Sequence, residues 1–243
     1  PLTMILPKSD KVPFATTGGL TTVAVRMPSH GVALDFIDEG KLPVAAPSAN
    51  LSGKPSPTRG EHVYHDLKGK IPLILDSGAV EIGLESTIID LSRPEPVILR
   101  PGRITYADLK PFAPRLRGDY HASQSDLASP KAPGMKYQHY APEGALYLLP
   151  EGAAAVAAVN DSAGKKALLL TAERWAELKG DVDPDYLYLL GRRDHPEEIA
   201  HDLFHAFREC DREGADTIFI EAVPASGLGE ALMNRINKAT YKE

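Results

Sequence analysis

The stretch Pro47-Ser48-Ala49-Asn50-Leu51-Ser52-Gly53-Lys54-Pro55-Ser56-Pro57-Thr58 decides how this chain is read. It leaves the apolar run 42–46 and precedes a helical pattern near Gly60, so hydroxyls, an amide and a lysine are displayed where a strand is expected to end. Its prolines stiffen it, which suggests a rigid cradle rather than a flexible connection. Ser48, Asn50, Ser52 and Ser56 could donate to phosphate oxygens, and a helix start near Thr58 would add backbone N–H groups. An ordinary Ser/Pro turn has the same composition, and spacing alone leaves both readings open. No Walker glycine–lysine pattern and no dinucleotide fingerprint follows a strand.

Upstream, residues 1–7 and 21–27 read as strands rich in β-formers, and Val32, Ala33, Phe36 and Ile37 share one helical face before Gly40. A buried strand is expected at 42–46. Downstream, Thr58 and Glu61 have capping-box spacing, and Val63, Tyr64 and Leu67 offer an apolar stripe for a short helix ended by Gly69. Residues 71–75, 86–91 and 96–99 are β-rich runs separated by turn-like segments, and Thr105 with Asp108 starts another short helix.

From 112 to 142 the periodicity dissolves into Pro, Ser, Gly and basic residues, as in a linker. Its second half, Ala132-Pro133-Gly134-Met135-Lys136-Tyr137-Gln138-His139-Tyr140-Ala141-Pro142, is too aromatic for a plain spacer and is expected to dock. Short apolar strands at 145–149, 166–170, 186–190 and 217–220 then alternate with helical stretches, which favours parallel βαβ units in a small three-layer domain. The clearest helix spans 196–212 with Ile199, Leu203, Phe207 and Cys210 on one face, and another begins near Gly229.

With 243 residues, 43% of them hydrophobic, the chain is long enough for two cores. One cysteine allows no intrachain disulfide, and neither a signal segment nor a membrane-length apolar run is seen, so a cytoplasmic setting is expected. Residues 1–142 carry 16 Lys and Arg against 14 Asp and Glu, whereas 143–243 carry 11 against 19. Any contact with RNA therefore belongs to the first half.

Arg100 ends the run 97–99 directly before Pro101-Gly102, and Arg26 stands similarly before Met27-Pro28. Permanently charged forks at strand ends suit a phosphate and a carboxylate, although each alone is more often a surface arginine. Ser86 and Thr87 follow Glu85 at a strand start and either tie down the turn or meet a ligand. His201 and His205 lie one helical turn apart without a third ligand, so a solvated face is expected, and the same holds for His62 and His65. Cys210 reads as core.

The blocks Leu2-Thr3-Met4-Ile5-Leu6, Thr22-Val23-Ala24-Val25-Arg26-Met27-Pro28, Ala46-Pro47-Ser48-Ala49-Asn50-Leu51-Ser52-Gly53, Glu85-Ser86-Thr87-Ile88-Ile89-Asp90 and Ile98-Leu99-Arg100-Pro101-Gly102 closely resemble the YrdC/Sua5 family. The Lys136-Tyr137-Gln138-His139-Tyr140 linker and the segment Gly227-Leu228-Gly229-Glu230-Ala231-Leu232-Met233-Asn234-Arg235 resemble its longer, Sua5 type.

This resemblance implies an α/β chain with a partial YrdC-like twisted mixed-sheet domain at 1–112. It also implies a linker at 113–142 that closes over the active site and a small Rossmann-like three-layer α/β/α Sua5 domain at 143–243. The implied activity is that of an L-threonylcarbamoyladenylate synthase, a nucleotidyltransferase using L-threonine, bicarbonate and ATP with Mg2+, for the t6A modification of tRNA. Downstream t6A-transfer proteins and weakly bound tRNA are the implied partners, with no membrane.

The resemblance also carries residue roles. Thr22, Ser48, Ser56 and Arg100 would contact ATP or the adenylate, with Asn50 supporting the loop. Arg26 would pair with the threonine carboxylate beside Ala46 and Ser86, and Tyr137, His139 and Tyr140 would form the closing linker, with His139 also contacting ATP or the adenylate. Arg100 and Ser48 are the catalytic candidates, and no metal ligand set is expected. The family's domain begins upstream of Pro1, so the first domain is expected to lack several strands and activity is expected of the parent protein. An RNA-binding YrdC-like module and a carbamoyl-transfer-related domain without synthase activity are the alternatives.

Overall fold

The computed structural model of the chain describes residues 1–117 and 140–241. The chain divides into two compact units, one of Pro1–Ala46 with Glu85–Tyr137 and one of Pro47–Leu84 with Gln138–Glu243.

The first unit is built on a mixed sheet in the order β2-β1-β3-β4. Strand β1 (Leu2–Pro7) runs antiparallel to β2 (Thr22–Val25) and parallel to β3 (Thr87–Asp90), which is antiparallel to β4 (Val97–Arg100). Side chains alternate across the sheet. Ile5, Ile88 and Leu99 pack together in one cluster, and Ile89 and Ile98 pack in another with Leu109 and Leu116. Leu109 belongs to the short helix α3 (Tyr106–Leu109), started by the capping box that the sequence predicts: the Thr105 hydroxyl accepts the Asp108 N–H and the Asp108 carboxylate accepts the Thr105 N–H. Helix α1 (Gly31–Gly40) buries none of its residues.

The buried strand expected at 42–46 does not form. These residues are exposed and make no ladder, with Leu42 at 70% exposure. Pro43 and Pro47 lack the N–H that a ladder needs, and apolar composition alone does not supply a partner strand. The run 71–75 also lies outside any strand, with Leu73 and Leu75 exposed.

The second unit contains the short helix α2 (Gly60–Leu67) and an alternating series: β5 (Ala145–Leu148), α4 (Ala153–Asp161), β6 (Lys166–Leu170), α5 (Ala172–Leu178), β7 (Tyr186–Leu189), α6 (Pro196–Glu213), β8 (Thr217–Ile220) and α7 (Leu228–Ala239). The sheet is parallel in the order β5-β8-β6-β7. Leu168, Leu170 and Phe219 pack with Ala155 and Val159 of α4 and Leu178 of α5. Ala167, Leu169, Ile218 and Ile220 pack with Leu203, Phe204 and Phe207 of α6 and Leu232 and Ile236 of α7. Opposite-facing residues of one strand thus join different clusters, which makes the three layers expected from the alternating pattern. Gly83 is fixed by this packing: with φ +73, a Cβ there would lie 2.1 Å from the Ala200 carbonyl oxygen of α6.

Candidate functional site

In the first unit, the end of β4 presents Arg100 with only 8% of its surface exposed. Its Nε donates to the Ser86 carbonyl (3.1 Å) and its Nη2 to the Ser86 hydroxyl (3.2 Å), which lies 2.7 Å from the Thr3 hydroxyl. The Pro101-Gly102 turn presses closely on this strand start: a Cβ on Gly102 would lie 2.5 Å from the Thr87 nitrogen. Thr87 closes the corner by donating to the Ile104 carbonyl and accepting the Ile104 N–H. Arg26 follows Val25, which pairs with Met4, so the register carries it toward the Thr3 end of β1, and its side chain is exposed. Thr22 pairs with Pro7 at the opposite end of β1. Ser86, Arg100 and Arg26 therefore share one end of this sheet, whereas Thr22 stands about 13 Å along β2 from Arg26. Ala46 is exposed where the chain leaves the unit.

In the second unit, Ser48 is exposed, Asn50 half-buried and Ser56 buried. The Asn50 amide donates to the carbonyls of Leu51 (2.7 Å) and Lys54 (3.2 Å), so it braces the loop across its own turn. The expected helix start at Thr58 is different in detail. Helix α2 begins at Gly60 with no side-chain cap, and its buried residues are His62 and Asp66 while Tyr64 is exposed. Its inward face is polar because it meets the polar residues of α6.

Arg208 of α6 donates from Nη1 (3.2 Å) and Nη2 (2.8 Å) to the two Asp66 oxygens, and from Nη2 to the Pro55 carbonyl (2.6 Å). Asp66 also accepts the Leu51 N–H at 3.3 Å. Burial pushes the Asp66 carboxyl up, but the hydrogen bonds and charge of Arg208 outweigh it and hold it below the usual value. Lys54 pairs with Glu143, whose carboxyl is held low by that bond. These groups line a cleft of about 650 Å³ together with Glu61, His62 and Asp211.

His62 and His205, expected on solvated faces, are both buried and stack with ring centroids 5.3 Å apart. With Glu61 they offer ligand atoms within 4.8 Å of one another. The Thr58 N–H donates to Nδ1 of His62 (3.1 Å), so the ring proton sits on Nε2, which donates to Nδ1 of His205 (3.2 Å). The Nδ1 lone pairs of both rings are thereby used, so Thr58, His62 and His205 form a hydrogen-bonded chain with the Glu61 carboxylate nearby. Burial and then the Arg208 charge lower His62 to about 4, and burial followed by Arg59 also lowers His205. Cys210 is buried, with its thiol pushed up to about 12 by burial, in keeping with a core residue.

Tyr137 and His139 lie outside the described residues. Tyr140 has a left-handed backbone (φ 71), and its ring packs against Phe204 of α6 at 5.2 Å and near the fully buried Arg235 of α7 at 5.8 Å. Sequence reasoning missed Asp66 and Arg208. The available signal was a polar residue repeated at helical spacing, His62 with Asp66 and His205 with Arg208, within faces that otherwise turn inward.

A family model described as the C-terminal domain of threonylcarbamoyl-AMP synthase matches residues 104–240, and the Sua5/YciO/YrdC model, described as telomere recombination, matches residues 1–102. A threonylcarbamoyl-AMP synthase of Pyrococcus abyssi is 45% identical, covering 99% of this chain and 70% of the relative. One of Bacillus subtilis is 43% identical, covering 98% and 69%. The crystal structure of P. abyssi Sua5 complexed with L-threonine superposes with a TM-score of 0.85 at 42% identity, covering 98% of this chain and 70% of that one.

Proposed function

The chain belongs to the Sua5 family of threonylcarbamoyl-AMP synthases, and from that membership we infer that it works in making L-threonylcarbamoyladenylate and pyrophosphate from L-threonine, bicarbonate and ATP. The single observation that carries this is the Arg100 guanidinium, held at the end of β4 by both the carbonyl and the hydroxyl of Ser86. A charged fork fixed before substrate arrives suits an oxyanion or phosphate, because no reorganisation is needed as charge develops.

In this reading bicarbonate takes up a proton and loses water to give carbon dioxide. The threonine amine, deprotonated from its ammonium form, adds to that carbon and sheds a further proton to leave an N-carboxylate. One carboxylate oxygen attacks the α-phosphorus of ATP and pyrophosphate leaves. The protein supplies position and charge rather than a covalent intermediate. Arg100, Thr22, Ser48 and Ser56 contact ATP or the adenylate, with Asn50 bracing the loop. Arg26 takes the threonine carboxylate, with Ala46 and Ser86 lining that pocket; the L-threonine bound to the P. abyssi relative supports this substrate. Tyr137, His139 and Tyr140 belong to a linker that excludes water from the adenylate. The catalytic portion is assigned to 1–112, the linker to 113–142 and the C-terminal domain to 143–243.

The residues assigned to ATP offer hydroxyls and a guanidinium rather than a carboxylate set, so Mg2+ arrives held by phosphates and water. The product feeds t6A formation on tRNA in the cytoplasm through downstream transfer proteins, with weak tRNA contact. No helix among the described residues is long and apolar enough to cross a membrane. The test is pyrophosphate release from ATP, bicarbonate and Mg2+ in the full-length protein: release that requires L-threonine supports the reading, and threonine-independent or absent release overturns it. Arg100→Ala should weaken ATP binding, and unchanged affinity would remove Arg100 from the site.

A further inference from the structure

Asp66 and Arg208 stand 142 positions apart in sequence, yet their side chains are 2% and 9% exposed and form a two-pronged ion pair. The pair does not end on itself. Arg208 reaches on to the Pro55 carbonyl, and Asp66 receives the Leu51 N–H. The loop is thus gripped at two backbone points four residues apart, and the Asn50 amide spans the same turn from within. The two grips stand immediately beside Asn50 and Ser56.

A buried ion pair contributes little net stability over apolar side chains of similar volume, because desolvation offsets most of its attraction. What it supplies is direction. A planar fork with hydrogen bonds to both oxygens of one carboxylate and a carbonyl fixes where that carbonyl points, which a lysine ammonium does not reproduce. Lys54, tethered to the exposed Glu143, adds no comparable constraint.

We propose that Arg208, a residue of the C-terminal domain, and Asp66 form a positioning pair that holds the Asn50-to-Ser56 loop in its nucleotide-receiving shape and so sets the affinity for ATP. The link to ATP rests on the assignment of that loop made above; the grip on the loop does not. The C-terminal half thereby acts on catalysis through the backbone of the loop, without itself touching substrate.

The experiment uses the full-length protein with Arg208→Lys, Arg208→Met and the double replacement of Asp66 by Leu and Arg208 by Met, which keeps the volume filled should the single variant fold poorly. Backbone amide exchange is followed over 50–56 and over β8 as an internal control. The expected result is faster exchange at Leu51 and its neighbours in the Met and double variants, with β8 unchanged and Arg208→Lys intermediate. Unchanged loop exchange in the double variant overturns the proposal. Steady-state kinetics should show KM for ATP raised about tenfold, the size of one lost charge-assisted hydrogen bond, with KM for threonine unchanged. A variant merely less folded would lower kcat alone, and that result also overturns it. Wild-type protein lacking threonine-dependent pyrophosphate release would instead refute the assigned function, and the exchange experiment would still decide the grip.

Discussion

Both units rest on a four-stranded sheet, yet the two sheets are supported very differently. The mixed sheet of the first unit has buried apolar clusters of three and four residues, whereas the parallel sheet of the second lies between clusters of 20 and eight. The fixed arginine thus stands on the thinner scaffold, and its position depends on hydrogen bonds to Ser86 and on the closeness of Gly102 more than on packing. In the second unit the core is already dense, so its polar groups at Asp66, Arg208 and the two histidines are held by surroundings that tolerate little adjustment.

The sharpest way to break this contrast is to damage each core. Phe207→Ala should cost about 4 kcal/mol in urea unfolding, because Phe207 is completely buried in the larger cluster. An equal cost for the conservative Ile5→Val in the first unit would erase the distinction. Next, Asp66→Asn should cost about 3 kcal/mol, by leaving the Arg208 charge buried without its partner. Because the folded Asp66 carboxyl lies below its unfolded value, its contribution is present above the unfolded value and is lost as pH falls through the folded one. Wild-type stability should therefore decline below about pH 4, and the Asn variant should show less of that decline when unfolding is followed against pH.

Arg100→Lys should lower kcat/KM for ATP by roughly tenfold to a hundredfold, since an ammonium cannot meet Ser86 and a substrate oxygen as a fork does. Unfolding of the second unit should be unaffected. The smallest effect is Ile5→Val itself, about 1 kcal/mol, read as a shift in the urea midpoint.

The same contrast explains what could be read from residue order. In the C-terminal half, short β-rich runs alternating with helical periods leave few arrangements, and the strands at 145–148, 166–170, 186–189 and 217–220 follow directly. The placement of Arg100 and Ser86 at strand ends is legible because strand ends beside Pro-Gly or Ser-Thr are local features. The runs 42–46 and 71–75 misled because apolar composition says nothing about a partner strand. Helix α2 misled because its buried face, His62 and Asp66, is polar, and only the distant His205 and Arg208 make that burial tolerable. The only local trace of this pairing across 142 residues is the polar pair at helical spacing within each helix, which does not name its partner.

The path of the chain through the two units has a bearing on how the protein is assembled. It leaves the first unit after Ala46 and returns at Glu85, and the central ladder of the first sheet joins Leu2 to Thr87. During synthesis β1 therefore waits for a parallel neighbour that emerges some 80 residues later, a closure whose entropy must be lost before the ladder compensates for it. Meanwhile residues 47–84 await helix α6, which is made later still. The first unit thus has all its chain before the C-terminal half is made, whereas residues 47–84 wait longest for the partners that complete the second.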